Sequence, residues 1–379
     1  MNPTAILEYF ESRRAAILES IRALVDIESP SYNVERSRRV VAHLVKEAQA
    51  IDLEIDIESV AAENYGDHLI IRAFSGIDNP VLLLGHTDTV HPVGTCEQNQ
   101  TRIEDGKFFG CGIFDMKSGV VLMIEALRYF AASGETPSRP ITILLSCDEE
   151  VGSFTGRELV EREARNAHAC LVFEPSAQGR VKTGRKGTGM FNVQAHGIPA
   201  HAGLEPEKGA SAILELSRQI EKLSSLNKPE TGTTVNVCTV RGGTTTNVIP
   251  EYAECAVDVR FTSSDEARRI EDSIRGLVSV DSRVSLEITG GINRPPLERT
   301  NAVVELYEKT RALGASFGYE VGEAQVGGAS DGNFVAALGV PVLDGLGIAG
   351  DGAHTLHEHI LVDDVPKRAT LLTLLLASV

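Results

Sequence analysis

Three short apolar runs in this chain end in imidazole or carboxylate groups: VLLLG (81–85), ITILLS (141–146) and ACLVFE (169–174). No other feature constrains the fold as strongly. Short runs with no polar alternation fit strands buried on both faces, and such strands belong to sheets covered by helices. An open sheet of that kind places its ligand site just beyond the carboxyl ends of its strands. His86 and Asp88 in GHTDTV follow the first run, Glu149 and Glu150 in SCDEEVGS follow the second, and Glu174 closes the third. Around these runs, Ile6, Phe10, Ile17, Ile21, Leu24 and Val25 recur at helical spacing, as do residues near Val40–Val45. Strand-like stretches occupy 53–59 and 68–74, and 117–131 reads as a helix. The expectation is an α/β domain with a mostly parallel central sheet flanked by helices.

The pattern changes between 188 and 290. Strand (188–196), helix (206–224), strand (233–241), strand (252–261), helix (264–278) and strand (283–290) follow one another, the βαββαβ order of a ferredoxin-like domain. Glycines at 184–189 and NRPP at 293–296 look like its entry and exit hinges. Helix and strand patterning then resumes. The expected division is a discontinuous domain of 1–184 and 296–379, with 185–295 inserted into it. A chain of 379 residues suits two domains.

Hydrophobic residues make up 42% and charged residues 23%, a globular balance that needs no disulfide staple. The six cysteines form no CxxC pair, and Cys170 and Cys255 read as reduced core thiols. MNPTAILEYFESRRAAILES shows no signal peptide, and no stretch of roughly 18 apolar residues suggests a membrane span, so a cytoplasmic location is expected. A net charge of -17 argues against nucleic acid as a partner. It also means that an acidic substrate must be met by local arginine or lysine.

Taken singly, the polar elements at the strand ends have bland readings. An HxD pair is usually a loop, Asp115 in GIFDMKSG favours a helix N-terminus, and GDGAHTLHEH with His354, His357 and His359 is a polar turn. Jointly they supply imidazoles and several carboxylates at the ends of one sheet. That donor set suits zinc, manganese or cobalt. Two adjacent glutamates repel unless a cation stands near them, and an imidazole ligand needs its second nitrogen held, a role open to Asp88.

The motifs GHTDTV, GIFDMKSG, DEEVGS, FEPS, GIPAHAG, NVIP, DVR, GGASDGNF and GAHTLHE occur in this order across nearly the whole chain. The set resembles the co-catalytic zinc family of aminoacylases, acetylornithine deacetylases and succinyl-diaminopimelate desuccinylases, and within it the bacterial glutamate carboxypeptidases. The resemblance implies a zinc-exopeptidase catalytic domain and an inserted dimerisation domain. It implies two zinc ions per subunit, with manganese or cobalt as substitutes. Asp115 would bridge them, with His86 and Glu174 on one ion and Glu150 and His354 on the other. His354 is preferred because Glu358 follows four residues later. Glu149 would be the general base and Asp88 would orient His86. A cis peptide after Asp115 is a common companion. Cys111 and Cys147 stand where other residues are usual.

The same resemblance makes the chain a homodimer, with His201 reaching the partner's active site to stabilise the oxyanion and Asn247 acting from the same side. A free carboxylate is best gripped by guanidinium, for which Arg260 and Arg294 are candidates. Amides around Gly327, Gly328 and Ala329, ahead of a helix opening at Ser330–Asp331, add a candidate anion site, and Lys182, Arg185 and Lys186 could meet a glutamate side chain. The expected activity is hydrolysis of an amide next to a free carboxylate, releasing C-terminal glutamate from folate-like or other N-acyl-glutamates. The alternative is an N-acyl-amino-acid deacylase. A non-catalytic binding protein ranks last, because every expected ligand and the base are present.

Overall fold

The structure is a computed structural model that describes residues 1–76 and 79–379. The chain forms two compact units. The first contains 1–184, 299–326 and 330–379; the second contains 185–298 and 327–329.

In the first unit a six-stranded sheet has the order Ile55–Ala62, Gly66–Ala73, Ile141–Ser146, Val81–His86, Ala169–Val172 and Val342–Leu343. The last four strands are mutually parallel, and Val81–His86 lies between Ile141–Ser146 and Ala169–Val172. The three strands that carry His86, the Glu149–Glu150 pair and Glu174 at their ends are therefore direct neighbours. All their side chains are buried, as uninterrupted apolar runs require. The first two strands are antiparallel to their neighbours. The three residues between Ile55–Ala62 and Gly66–Ala73 are too few for a parallel crossover, so a hairpin forms. Gly66 closes it with φ +124, where a Cβ would sit 2.1 Å from Ser37 Oγ.

Helices cover the sheet. Pro3–Val25 starts at Asn2, whose side chain accepts the amide of Thr4 at 3.1 Å, with proline in the first turn, where its missing N–H costs nothing. The helix buries Ile6, Phe10, Ile17, Ile21, Leu24 and Val25, each stabilising by about 1.5–3 kcal/mol relative to exposure. Helix Ser118–Ser133 runs beneath the site. Its Gly119 packs so closely that a Cβ would lie 2.5 Å from the Phe173 carbonyl oxygen. That contact ties the helix following Asp115 to the strand end before Glu174.

The second unit holds a four-stranded antiparallel sheet in the order Thr234–Gly242, Tyr252–Phe261, Gly187–His196 and Ser285–Arg294. Helices Ala212–Ser224 and Ser264–Arg275 are amphipathic, and their buried residues include Leu216, Leu223, Ile270 and Ile274. With Val193, Val257 and Val259 these form a core of their own. Along the chain the elements run strand, helix, strand, strand, helix, strand. A short ribbon pairs Ala200–His201 with Val248–Ile249.

Candidate metal centre

His86 is the last residue of its strand and is 1% exposed. Its Nδ1 faces the main-chain oxygen of Asp88 at 3.0 Å, which fixes Nδ1–H as a donor and leaves Nε2 as the nitrogen that a cation would take in place of a proton. Nε2 lies 3.2 Å from Asp115 Oδ1 and 3.6 Å from Glu174 Oε1. The second oxygen of Asp115 faces His354 Nε2 at 3.4 Å, and the same imidazole nitrogen is 3.2 Å from Glu150 Oε2. Asp115 thus stands between two imidazoles with one oxygen toward each. The peptide bond that follows it, Asp115–Met116, is cis.

Glu149 and Glu150 occupy a short 3-10 turn, Glu149–Val151, immediately after the strand Ile141–Ser146. Their orientation comes from Asp88. Its Oδ1 accepts the amide of Glu149 at 3.2 Å, and its Oδ2 accepts the amide of Glu150 at 3.1 Å and the Ser31 hydroxyl at 2.7 Å. The Asp88 carboxylate is also 3.4 Å from His86 Nδ1, but the carbonyl of the same residue is the nearer partner of that nitrogen. The expected role for Asp88 is therefore divided: its main chain meets the imidazole, and its side chain chiefly aims the glutamate pair.

The residues fit a cation site. Ligand atoms of His86, Glu149 and Glu174 lie within 4.8 Å of one another, as do those of His86, Asp115 and Glu150. Glu150 Oε1 is buried without a hydrogen-bond partner. So many carboxylates in one buried place repel unless positive charge compensates. In the metal-free chain the imidazoles supply it. Burial disfavours charge on His86, but hydrogen bonds to Asp115 and Asp88 and the nearby Glu149 outweigh it and raise its pKa well above the ordinary value. Hydrogen bonds to Asp115 and Glu150 push His354 up to about 10. Glu150 is raised, chiefly by burial. Asp115 is lowered: burial opposes its charge, but His354 and His86 more than offset that.

Glu358 was legible only as the partner of a spacing pattern, and its structural part is larger. It is 0% exposed. Oε1 accepts the amides of Phe114 at 2.8 Å and Asp115 at 2.9 Å; Oε2 accepts the Gly112 amide at 2.9 Å and His91 Nε2–H at 2.8 Å. One carboxylate therefore holds the whole segment that presents Asp115. Neither His91 nor Ser31 was anticipated. His91 gave a faint signal, as a second histidine in GHTDTVHPV; Ser31 gave none.

Among the other expected site residues, His201 and Asn247 come together in the second unit. His201 ends one strand of the ribbon and Asn247 precedes the other, and the Ala202 amide donates to the Asn247 carbonyl at 2.9 Å. His201 Nδ1 accepts the amides of Gly203 and Leu204 at 3.1 and 3.2 Å, which leaves its proton on the exposed Nε2. Arg260 forks onto Asp258 of its own strand at 2.8–3.2 Å. That is the surface ion-pair reading, and in this arrangement its fork is taken. Arg294 ends its strand and is 9% exposed. Gly328 offers its carbonyl to Arg185 Nη1 at 3.2 Å. The helix after Ser330 spans only Gly332–Ala337. The Ser330 amide goes to Asn333 Oδ1, and Asp331 takes the hydroxyls of Ser146 and Ser153. Gly327, Gly328 and Ala329, whose amides are the expected anion donors, precede this segment.

The profile of peptidase family M20/M25/M40 matches residues 82–378. The chain belongs to this family. It is accordingly a metal-dependent hydrolase of amide bonds. It is 27% identical to carboxypeptidase G2 of Pseudomonas sp. strain RS-16 over 361 residues, covering 93% of this chain and 86% of that protein. It is 29% identical to a succinyl-diaminopimelate desuccinylase of Delftia acidovorans over 314 residues, covering 78% and 80%. Its fold matches the crystal structure of the aminopeptidase PepT from Bacillus cereus with a TM-score of 0.78 and 22% identity, over 96% of this chain and 98% of the other. Among the described residues, no helix is long and apolar enough to cross a membrane.

Proposed function

We propose that this chain is a zinc-dependent exopeptidase that releases C-terminal glutamate from N-acyl-glutamates, folate-like compounds included. The observation that carries the reading is Asp115, with one carboxylate oxygen toward each of two imidazoles, between a glutamate pair and Glu174. That arrangement can hold two cations through one shared ligand. His86 and Glu174 would complete one shell, and Glu150 and His354 the other. Such ions polarise the scissile carbonyl and make a bound water acidic near neutral pH. Glu149, 8% exposed and fixed through its amide by Asp88, would accept that water's proton and deliver it to the departing amine. Glu149 also lies within ligand distance of His86 and Glu174, so its reach to the water position is short. The preference for glutamate rests on the similarity to carboxypeptidase G2.

The same reading makes the protein a homodimer in which the partner subunit's His201 and the partner subunit's Asn247 act on the oxyanion. It is supported by the outer strand Thr234–Gly242, which leaves a sheet edge open, with Val240 58% exposed. Ile213 and Leu214 of the Ala212–Ser224 helix are also exposed. Arg294 remains the candidate to grip the substrate carboxylate.

An N-acyl-amino-acid deacylase is the second reading, favoured by the desuccinylase similarity. The deciding experiment strips the protein with chelator and assays release of free amino acid from folate, other N-acyl-glutamates, N-acetylornithine and succinyl-diaminopimelate, with and without added zinc. Zinc-restored glutamate release that is lost in Glu149→Ala supports the first reading. Activity confined to the non-glutamate substrates moves the chain to the second.

A further inference from the structure

His68 is a buried imidazole, 1% exposed, on the strand Gly66–Ala73. The hydrolytic reading gives it nothing to do. The antiparallel pairing of that strand with Ile141–Ser146 runs from Ala73 opposite Ile141 to Leu69 opposite Leu145 and stops there. Just past the end of this ladder the His68 ring takes over from the backbone. Its Nδ1 accepts the amide of Cys147 at 3.2 Å, the first residue after the strand. A nitrogen that accepts a main-chain N–H carries no proton, so the ring proton sits on Nε2. That nitrogen donates to Thr155 Oγ1 at 3.0 Å, and the Thr155 hydroxyl donates onward to Asp148 Oδ2 at 2.9 Å. Burial lowers the pKa of His68 despite the carboxylates of Asp148, Asp331, Asp88 and Asp67 nearby, which agrees with a neutral ring.

The two nitrogens therefore hold the two ends of residues 147–155, the stretch that carries Glu149 and Glu150. Inside it, Asp148 closes a loop: its carbonyl accepts the Ser153 amide at 2.8 Å, and its Oδ2 accepts the Thr155 amide at 2.7 Å. Ser153 takes φ 55, a left-handed conformation that a residue with a side chain keeps only where its surroundings impose it. Asp88 aims the amides of Glu149 and Glu150 from within the site. His68 fixes the same turn from outside it.

We propose that His68 is a positioning residue for the metal centre, and that its unprotonated Nδ1, by holding the Cys147 amide, sets the reach of Glu149 and Glu150. The inference rests on the proposed roles of Glu149 as base and Glu150 as metal ligand. The two bonds of the ring are unequal. Cys147 is fully buried, and its amide without Nδ1 is a donor with no water to turn to. The Thr155 hydroxyl keeps its own donation to Asp148 if Nε2–H is lost, so it gives up only a second bond. The Nδ1 contact is thus the one that orders the turn.

Two amide side chains separate these bonds. Asparagine places its carbonyl oxygen where Nδ1 stood and can accept from Cys147. Glutamine reaches one carbon further, places its NH2 where Nε2 stood and can donate to Thr155. Both are polar and buried alike, so a role confined to packing treats them equally. The test compares His68→Asn, His68→Gln and His68→Ala with the wild type, full-length and zinc-loaded. Zinc affinity is read by competition with a chromophoric chelator, and kcat and KM by glutamate release from an N-acyl-glutamate. His68→Gln and His68→Ala should lose about 10-fold in zinc affinity and about 100-fold in kcat with KM unchanged. His68→Asn should recover most of both. Glutamine equal to asparagine, asparagine as poor as alanine, or zinc affinity unchanged in all three while urea midpoints fall would overturn the proposal. A wild type that releases no glutamate, with zinc affinities still in the expected order, counts against the proposed hydrolysis and supports the role of His68.

Discussion

Replacing Glu358 by glutamine removes one charge and almost no volume, so it isolates the contribution of hydrogen bonding to the Asp115 segment. The wild-type carboxylate accepts four hydrogen bonds, from the amides of Gly112, Phe114 and Asp115 and from His91. Glutamine has one acceptor oxygen. In its best orientation that oxygen keeps Phe114 and Asp115, and its NH2 faces Gly112 and His91. His91 can change tautomer and accept, but the Gly112 N–H cannot. One buried amide is then left unsatisfied, at about 1–3 kcal/mol, and the two bonds kept from Phe114 and Asp115 lose charge assistance, at about 1 kcal/mol each. The sum is about 3–5 kcal/mol out of a stability of roughly 5–15 kcal/mol. Urea denaturation of the metal-free protein reads the loss as a lower midpoint with an unchanged slope. Because Asp115 is the proposed shared ligand, zinc affinity by competition with a chromophoric chelator should also fall by about 10–100-fold. A shift below about 1 kcal/mol with unchanged zinc affinity would refute the assignment of Glu358 as the anchor of this segment.

Asp88→Asn turns an NH2 group toward one of the two glutamate amides that Asp88 now accepts; displacing the proposed base in this way should lower kcat/KM by roughly 100-fold while zinc content is retained. Metal binding should release protons near pH 7, because Asp115 and Glu150 keep His354 protonated up to about 10 in the metal-free chain. Zinc affinity should therefore rise with pH up to about that value, and calorimetry in buffers of different ionisation enthalpy measures the release. Gly119→Ala drives a methyl to 2.5 Å from a backbone carbonyl oxygen, and should lower stability by about 1–3 kcal/mol in urea denaturation. Gly85→Ala should cost less, since its closest neighbours are the mobile ends of Met116 and Met123.

The central strands and the donors at their ends were readable because burial on both faces leaves no choice of residue, and polar groups stand out where an apolar run stops. His86, Glu150 and Glu174 stood out as candidates on that basis, whereas Asp115 and His354 were proposed from their motifs. The hairpin of Ile55–Ala62 and Gly66–Ala73 was not anticipated as antiparallel, since strand direction depends on the length of the connection and not on the residues of the strands. The four hydrogen bonds of Glu358 and the contact of Ser31 with Asp88 were hidden because they join segments distant in sequence, and no local pattern records such a meeting. Arg260 has a partner that its motif does not record. An arginine at a strand end looked available for substrate, but Asp258 two residues earlier lies on the same face of the strand and takes its fork.

The most direct test of the centre is anomalous diffraction at the zinc edge from crystals of the metal-loaded protein. Two zinc peaks are expected, one beside each oxygen of Asp115, with His86 and Glu174 on one and Glu150 and His354 on the other. A single peak, or two peaks that do not share Asp115, would contradict the bridged arrangement on which the proposed hydrolysis rests.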